Sequence, residues 1–144
     1  ELQRLRADSS LMPSAIWELL RWDSPVQLNV RAALRDVEIL GESVGYGQIY
    51  TVLQGSGNRD EAAYPVADGL DVGRFVDRST PPPLSFGWGP HHCLGAALAR
   101  AEGEIVFGGL LDRFASLELL EAPSFRSSFT LRGLTSLNVA CRSR

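Results

Sequence analysis

Apolar positions change their spacing several times along this chain, and each change marks a different kind of element. Leu2 and Leu5, set among charged residues, read as the end of one helix, which Ser9-Ser10 breaks. Pro13 suits the first position of a second helix running to about Trp22, because a first-turn residue needs no backbone N–H. Ile16, Leu19 and Leu20 give that helix an apolar stripe. Glu18 and Arg21, three apart, share a face, and Asp23-Ser24-Pro25 stops it. From Val26 to Leu53 the residues become β-branched and alternating, and segments 26–30, 37–39 and 48–53 predict a small antiparallel meander.

Residues 55–83 are rich in Gly, Asp, Arg and Pro and show little periodicity, which predicts a long functional loop ending in the stiff Pro81-Pro82-Pro83. The strongest helix pattern follows at 94–114. Leu94, Leu98, Ala101 and Ile105 share one face, Arg100 and Glu104 pair at i,i+4 on the outside, and the length predicts a buried, central helix. Short apolar pieces at 117–119, 129–131 and 137–139 then predict paired terminal strands. Helices interleaved with small antiparallel strands make the class α+β, and 144 residues are one domain's worth of chain.

Composition narrows the function more than the fold. With 44% hydrophobic and 22% charged residues and a net charge of -3, the chain reads as soluble and globular. No basic cluster points to nucleic acid or an anionic membrane surface. No apolar run reaches the roughly 18–20 residues that span a bilayer, so no membrane partner is expected and the cytoplasm is the default location. All 14 basic residues are arginine, which reflects base composition before function. The chain opens on Glu1, inside a helical pattern, so a piece of a longer protein is expected. Cys93 and Cys141 are too few for a disulfide framework, which suits one special thiol in a reducing compartment.

The special thiol is Cys93, in the run Phe86-Gly87-Trp88-Gly89-Pro90-His91-His92-Cys93-Leu94-Gly95. At a helix start, unpaired N–H groups and the helix dipole favour the thiolate that ligates metals or attacks electrophiles. Gly87, Gly89 and Gly95 remove side chains where the loop must bend or admit a large planar ligand. Zinc fits poorly, because His91, His92 and Cys93 are successive and no second ligand pair exists. A cysteine nucleophile would need His91 or His92 within hydrogen-bond reach of the sulfur, which adjacent positions rarely allow.

The run fills every fixed position of F-x-x-G-x-[R/H]-x-C-x-G and resembles the cytochrome P450 monooxygenases, in particular the soluble bacterial kind. Glu18-Leu19-Leu20-Arg21 is similar to the family's E-x-x-R helix, Asn58-Arg59-Asp60 to the turn after its central strands, and Leu131-Arg132-Gly133-Leu134 to its C-terminal hairpin. The resemblance implies that residues 1–144 are a single partial domain, the C-terminal portion of that fold. Its expected parts are the E-x-x-R helix, a small antiparallel sheet, a meander, the cysteine loop, a long proximal helix and a terminal β-hairpin.

It further implies haem b (iron protoporphyrin IX) with Cys93 as axial ligand, Leu94 and Gly95 donating N–H groups to the sulfur, Phe86 packed beneath the cysteine loop and Gly87 among the cofactor-binding residues. His91 and Arg31 would each meet a propionate, a carboxylate that a guanidinium matches in bidentate fashion. Glu18 and Arg21 would form a buried structural pair. O2, a small organic substrate and a separate electron donor such as a ferredoxin complete the expectation, since no flavin or nicotinamide fingerprint is present.

Two positions depart from the family. Pro65-Val66-Ala67-Asp68-Gly69-Leu70 stands where P-D-P-x-R-F is usual, so Gly69 replaces the basic partner of Glu18, and Arg59, Arg74 or Arg78 must substitute or the core is weakened. Gly45 replaces a turn proline, which predicts a looser turn. A reading of another class, a non-oxygenase haem-binding or accessory protein built on the same scaffold, stays open at this level.

Overall fold

The computed structural model describes residues 1–77 and 79–144. Arg78, one of the three arginines that could stand in for Gly69, lies outside the described residues.

Helix α1 (Leu2–Ala7) passes through a 3-10 turn at Ser9–Leu11, capped by the Asp8 carboxylate on Ser10 N, into helix α2 (Met12–Trp22). Pro13 sits in the first turn of α2 as its fixed φ requires. Strand β1 (Asn29–Ala32) pairs antiparallel with β4 (Ile49–Val52), and the two enclose a hairpin of β2 (Val37–Ile39) and β3 (Glu42–Val44). The expected meander is therefore two separate ladders, and Glu42–Val44 is a strand that alternation did not reveal because only Val44 of its three residues is apolar. The first turn of the hairpin holds Leu40 and Gly41 at φ 52 and 85, the positive pair that closes a tight two-residue turn.

The turn at Gly45 is better held than its residue type predicts. Gly45 N donates to Gln48 Oε1 (3.1 Å) and Gln48 N returns to Gly45 O (3.0 Å), and a proline there could not donate the first of these.

After one helical turn, α3 (Gln54–Gly57), the chain runs through successive turns and bends over 58–77 that pack along α2. These turns are held by α2 and its neighbours: Phe75 N donates to Ser14 Oγ (2.9 Å), and Trp22 Nε1 donates to Asp68 O (2.8 Å). Val66, within this loop, has φ 53, a left-handed conformation that a β-branched residue adopts only under strain. Its side chain is exposed, so little packing is at stake. Val66→Asn, which tolerates that region, is expected to raise stability by about 1 kcal/mol in denaturant titration. A destabilised Val66→Asn would show that the strain is illusory.

The long helix α4 spans Ala96–Arg113, starting two residues later than its periodicity predicts because Leu94 and Gly95 form a turn first. It crosses α2 at Gly103, where a Cβ would lie 3.2 Å from Ile16 Cδ1, so the missing side chain is what lets the helices approach. The expectation of a buried central helix does not hold within this chain. Only Ala96 and Leu111 of α4 are buried, and Leu94, Leu98, Ala101 and Ile105 are exposed. Length signalled helix, but burial needs a covering layer, and the elements of this chain cover α4 on the α2 side alone.

Strand β5 (Phe114–Leu119) pairs with β8 (Val139–Ser143), and β6 (Ser124–Phe125) pairs with β7 (Leu134–Ser136). Segment 129–131 is not a strand; Leu131 makes one isolated bridge to Val26. The apolar cluster is small, formed by Met12, Ile16 and Leu111 with Leu5, Leu19 and Leu20 against it. Arg21, Glu18, Val72 and Asn58 are the largest fully buried side chains, so the best-protected part of the molecule is polar. No helix among the described residues is long and apolar enough to cross a membrane.

Candidate functional site: the cysteine loop and the buried ion network behind it

Three features shape the loop at 86–95. Leu84–Phe86 forms a 3-10 turn that ends at Gly87, whose φ 72 and ψ -169 place it in a region only glycine enters readily. Gly89 has φ 73 and opens a second 3-10 turn, Gly89–His91. The loop then closes on itself, Cys93 N donating to Phe86 O at 2.8 Å and Ala96 N donating to Cys93 O at 3.3 Å. Cys93 therefore lies two residues ahead of Gly95, the residue that caps α4, and not in the helix itself.

The thiol is free and exposed. It opens, with His91, on a cavity of about 310 Å³ whose other walls include Leu20, Pro25, Val26, Phe86 and Gly87. Gly95 adds no bulk, since a Cβ there would stand 3.9 Å from Cys93 Sγ. Leu94 is fully exposed, and neither its N–H nor that of Gly95 hydrogen-bonds Sγ here. Neither histidine hydrogen-bonds the sulfur among the described residues, and the His92 ring turns toward Phe86, 6.3 Å between centroids. A nucleophile–base pair is thus not assembled.

Phe86 packs beneath the loop, edge-on to Trp17 of α2 at 5.9 Å. Trp17 carries Arg100 of α4 over its ring at 4.4 Å, a cation–π contact that replaces the expected Arg100–Glu104 pair. Arg100 Nε is buried without a partner among the described residues. Arg31 lies half-buried on β1, opposite Tyr50, its Nη1 donating to Val30 O (3.0 Å). Neither Arg31 nor His91 makes an ion pair among the described residues.

Behind the loop, Glu18 and Arg21 form a bidentate pair, Nε to Oε2 at 2.7 Å and Nη2 to Oε1 at 2.8 Å, both side chains wholly buried. Arg74 is the third member. Its Nε donates to Oε1 (3.2 Å) and Oε2 (3.1 Å) of Glu18, and its Nη1 to Pro65 O (2.7 Å). The basic partner expected at Gly69 has moved five residues on, and Gly69 contributes its carbonyl instead, accepting from Arg21 and Arg74. A side chain at Gly69 would crowd Val66, whose Cγ1 and O would both be 3.3 Å from the new Cβ. Of the other two candidates, Arg59 pairs with exposed Asp68 and stacks on Trp22.

One carboxylate facing two guanidinium groups leaves a surplus positive charge in a dry site. Carbonyl oxygens absorb it: Arg21 Nη1 donates to Asn58 O (2.8 Å) and Ala67 O (2.7 Å). Arg21 also lies over the Tyr64 ring at 5.4 Å, and burial pushes the Tyr64 phenol above its ordinary value. Asp71, beside this network, is raised by burial, yet the Gly73 N–H and the Arg4 guanidinium together hold it below the usual carboxylate value. Sequence reasoning missed Gln54, Ser24 and Ser85, buried polar residues that join the network to the loop. Their type is common in turns, and no spacing marked them.

The donor set fits an iron porphyrin. No group of three or more His, Cys, Asp or Glu among the described residues could hold a metal ion, so a metal at Cys93 must bring its other ligands with it. A lone exposed sulfur, an apolar wall and glycines on both sides meet that requirement.

The chain is similar to known proteins along nearly its whole length. The family model for Cytochrome P450 matches residues 3–136. Cytochrome p450 CYP199A2 of Rhodopseudomonas palustris is 40% identical over 139 residues, covering 96% of this chain and 33% of its own length. The solved structure of P450BioI in complex with hexadec-9Z-enoic acid ligated acyl carrier protein superposes with a TM-score of 0.91 at 37% identity, over 98% of this chain and 36% of that one. PksS, the bacillaene polyketide synthase cytochrome P450 of Bacillus subtilis 168, gives 0.89 at 37% identity, over 99% and 37%. The chain thus spans about a third of the length of the relatives it matches. With sequence motif, fold and family model agreeing along nearly its whole length, this chain belongs to the cytochrome P450 family.

Proposed function

We propose that Cys93 gives its thiolate to the iron of haem b and that the protein acts as a haem-thiolate monooxygenase, oxidising a small organic substrate with O2. The carrying observation is the sulfur itself: exposed on a cavity walled in part by Leu20, Val26 and Phe86, its backbone N–H tied to Phe86 O, with no cluster of three or more His, Cys, Asp or Glu among the described residues. As the cytochrome P450s exemplify, a thiolate-ligated haem supplies reductive activation of O2, the electron-rich sulfur favouring O–O cleavage.

The chain's own part is to hold and tune. Gly87 and Gly95 would leave room for the ring beside the sulfur, and Phe86, packed on Trp17, backs the loop that carries it. The N–H groups of Leu94 and Gly95 would turn to the thiolate once it is charged. His91, on the same cavity, and Arg31, on β1, would each pair with a propionate, a reading supported by neither making an ion pair among the described residues. Electrons would come from a separate donor such as a ferredoxin, in the cytoplasm. Residues 1–144 would serve as one partial domain of such an enzyme, and the exposed apolar face of α4 suits packing against further chain.

Haem-loaded protein, reduced and exposed to CO, is expected to give the thiolate-type Soret band. Cys93→Ala should abolish that band entirely, and Cys141→Ala should leave it intact. A Cys93→Ala spectrum identical to that of the parent protein would defeat the assignment.

A further inference from the structure

Two buried amides outside the cysteine loop hold its entrance. Asn58 has no exposed surface. Its Oδ1 accepts from Leu84 N at 2.7 Å, and its Nδ2 donates to Ser85 Oγ at 2.9 Å and to Ser24 Oγ. Both serine hydroxyls in turn donate to Leu20 O near the end of α2, Ser85 at 2.6 Å and Ser24 at 3.0 Å. The Leu84 N–H can only be met by Oδ1, so the amide orientation is determined by its partners. Four residues before Asn58, Gln54 donates its Nε2 to Leu84 O at 2.8 Å and accepts from Asn29 Nδ2 at 2.8 Å.

Leu84 is therefore gripped on both its N–H and its carbonyl, by two side chains one helical turn apart on α3 and its cap. The gripped turn carries the loop. Ser85 is tied to α2, Phe86 presents the carbonyl that holds Cys93 N, and Gly87 N donates to Leu84 O at 2.8 Å. Arg21 Nη1 also donates to Asn58 O, so the buried ion network and the loop share this residue.

We propose that Asn58 and Gln54 are positioning residues for the Cys93 thiolate: the amide pair sets the register of the Leu84–Phe86 turn and, through Phe86 O, the place of the sulfur relative to α2. This rests on the thiolate ligation proposed above. Neither side chain touches the sulfur. Asn58 acts by denying the turn any other arrangement, since releasing Leu84 N would leave that N–H without a partner, and Gln54 adds a second donor to Leu84 O beside Gly87 N.

The test uses the full haem-loaded protein carrying Asn58→Leu, Asn58→Asp or Gln54→Leu, with two readouts. The first is the fraction of the reduced CO complex that shows thiol-type instead of thiolate-type absorption. The second is hydrogen exchange of the Cys93 amide, measured with and without haem. Asn58→Leu is expected to raise the thiol-type fraction and the Cys93 exchange rate each by at least about tenfold, the equilibrium change of the lost bond to Leu84 N alone, since the bonds to Ser85 and Ser24 go with it. Asn58→Asp keeps an acceptor for Leu84 N and should lie closer to the parent on both.

A residue that merely supports the fold would lower the unfolding midpoint and leave both readouts at parental values in the folded protein, and that result overturns the proposal. Should Asn58→Leu fail to fold, Gln54→Leu is expected to move both readouts in the same direction by less, because Leu84 O keeps the Gly87 N–H, and parental values there overturn the proposal equally. If the parent protein shows no thiolate-type band, the ligation reading has failed by itself, and haem-free exchange at Cys93 alone then decides whether the amide pair positions the loop.

Discussion

Glu18→Ala is expected to cost about 3–5 kcal/mol of unfolding free energy, the largest effect of any single substitution outside the cysteine loop. The carboxylate accepts from Arg21, from Arg74 and from the backbone of Asp71 (2.9 Å), in a site with no exposed surface on either member of the central pair. Removing it leaves two guanidinium groups facing each other in a dry interior, with only carbonyl oxygens to answer them. Arg74→Ala should cost less, about 1–3 kcal/mol, because Glu18 keeps its bidentate bond to Arg21 and what is lost is charge-assisted hydrogen bonding. Chemical denaturation of both variants gives the comparison. Equal losses would mean that Arg74 is as central as Glu18, and a loss below about 1 kcal/mol for Glu18→Ala would show that water reaches the network.

Gly87→Ala is the second large effect, about 1–3 kcal/mol of stability together with displacement of the cysteine loop. Space is not the obstacle: a Cβ at this position would meet only Gln54 Nε2 and His91 O, both at 3.7 Å. The backbone is the obstacle, since φ 72 with ψ -169 is closed to residues that carry a side chain. An alanine must either bear that strain or flip the peptide, and a flip would pull Phe86 O off Cys93 N. Calorimetry reports the first and exchange of the Cys93 amide the second. A Gly87→Ala protein with parental stability and parental exchange would remove the conformational argument for this glycine.

How far these features could be read beforehand varied with how local their cause was. Helix α2 was legible to its ends because Pro13, the apolar stripe and Asp23-Ser24-Pro25 each act through neighbouring residues. The cysteine loop was legible because its glycines answer to backbone conformation, and Gly87 and Gly89 do have positive φ. Strand Glu42–Val44 was not, because it carries a single apolar residue, whereas the equally short Val37–Ile39 alternates. The substitution of Arg74 for the base missing at Gly69 was open among three arginines, and only the fold of residues 58–77 decided it. Arg100 was read as an outward partner of Glu104, yet it stacks on Trp17, an aromatic surface far away in sequence.

What the order of residues determined by itself is the local grammar: where helices start and stop and which glycines must bend. Those follow from torsional limits and from contacts within a turn or two. What only the tertiary structure decided is partnership over distance. Glu18 meets Arg74, Asn58 and Gln54 grip Leu84, and α4 keeps one apolar face uncovered. A side chain's charge or amide is visible in the sequence, but the low-dielectric surroundings that make its pairing obligatory exist only once separate segments have closed around it.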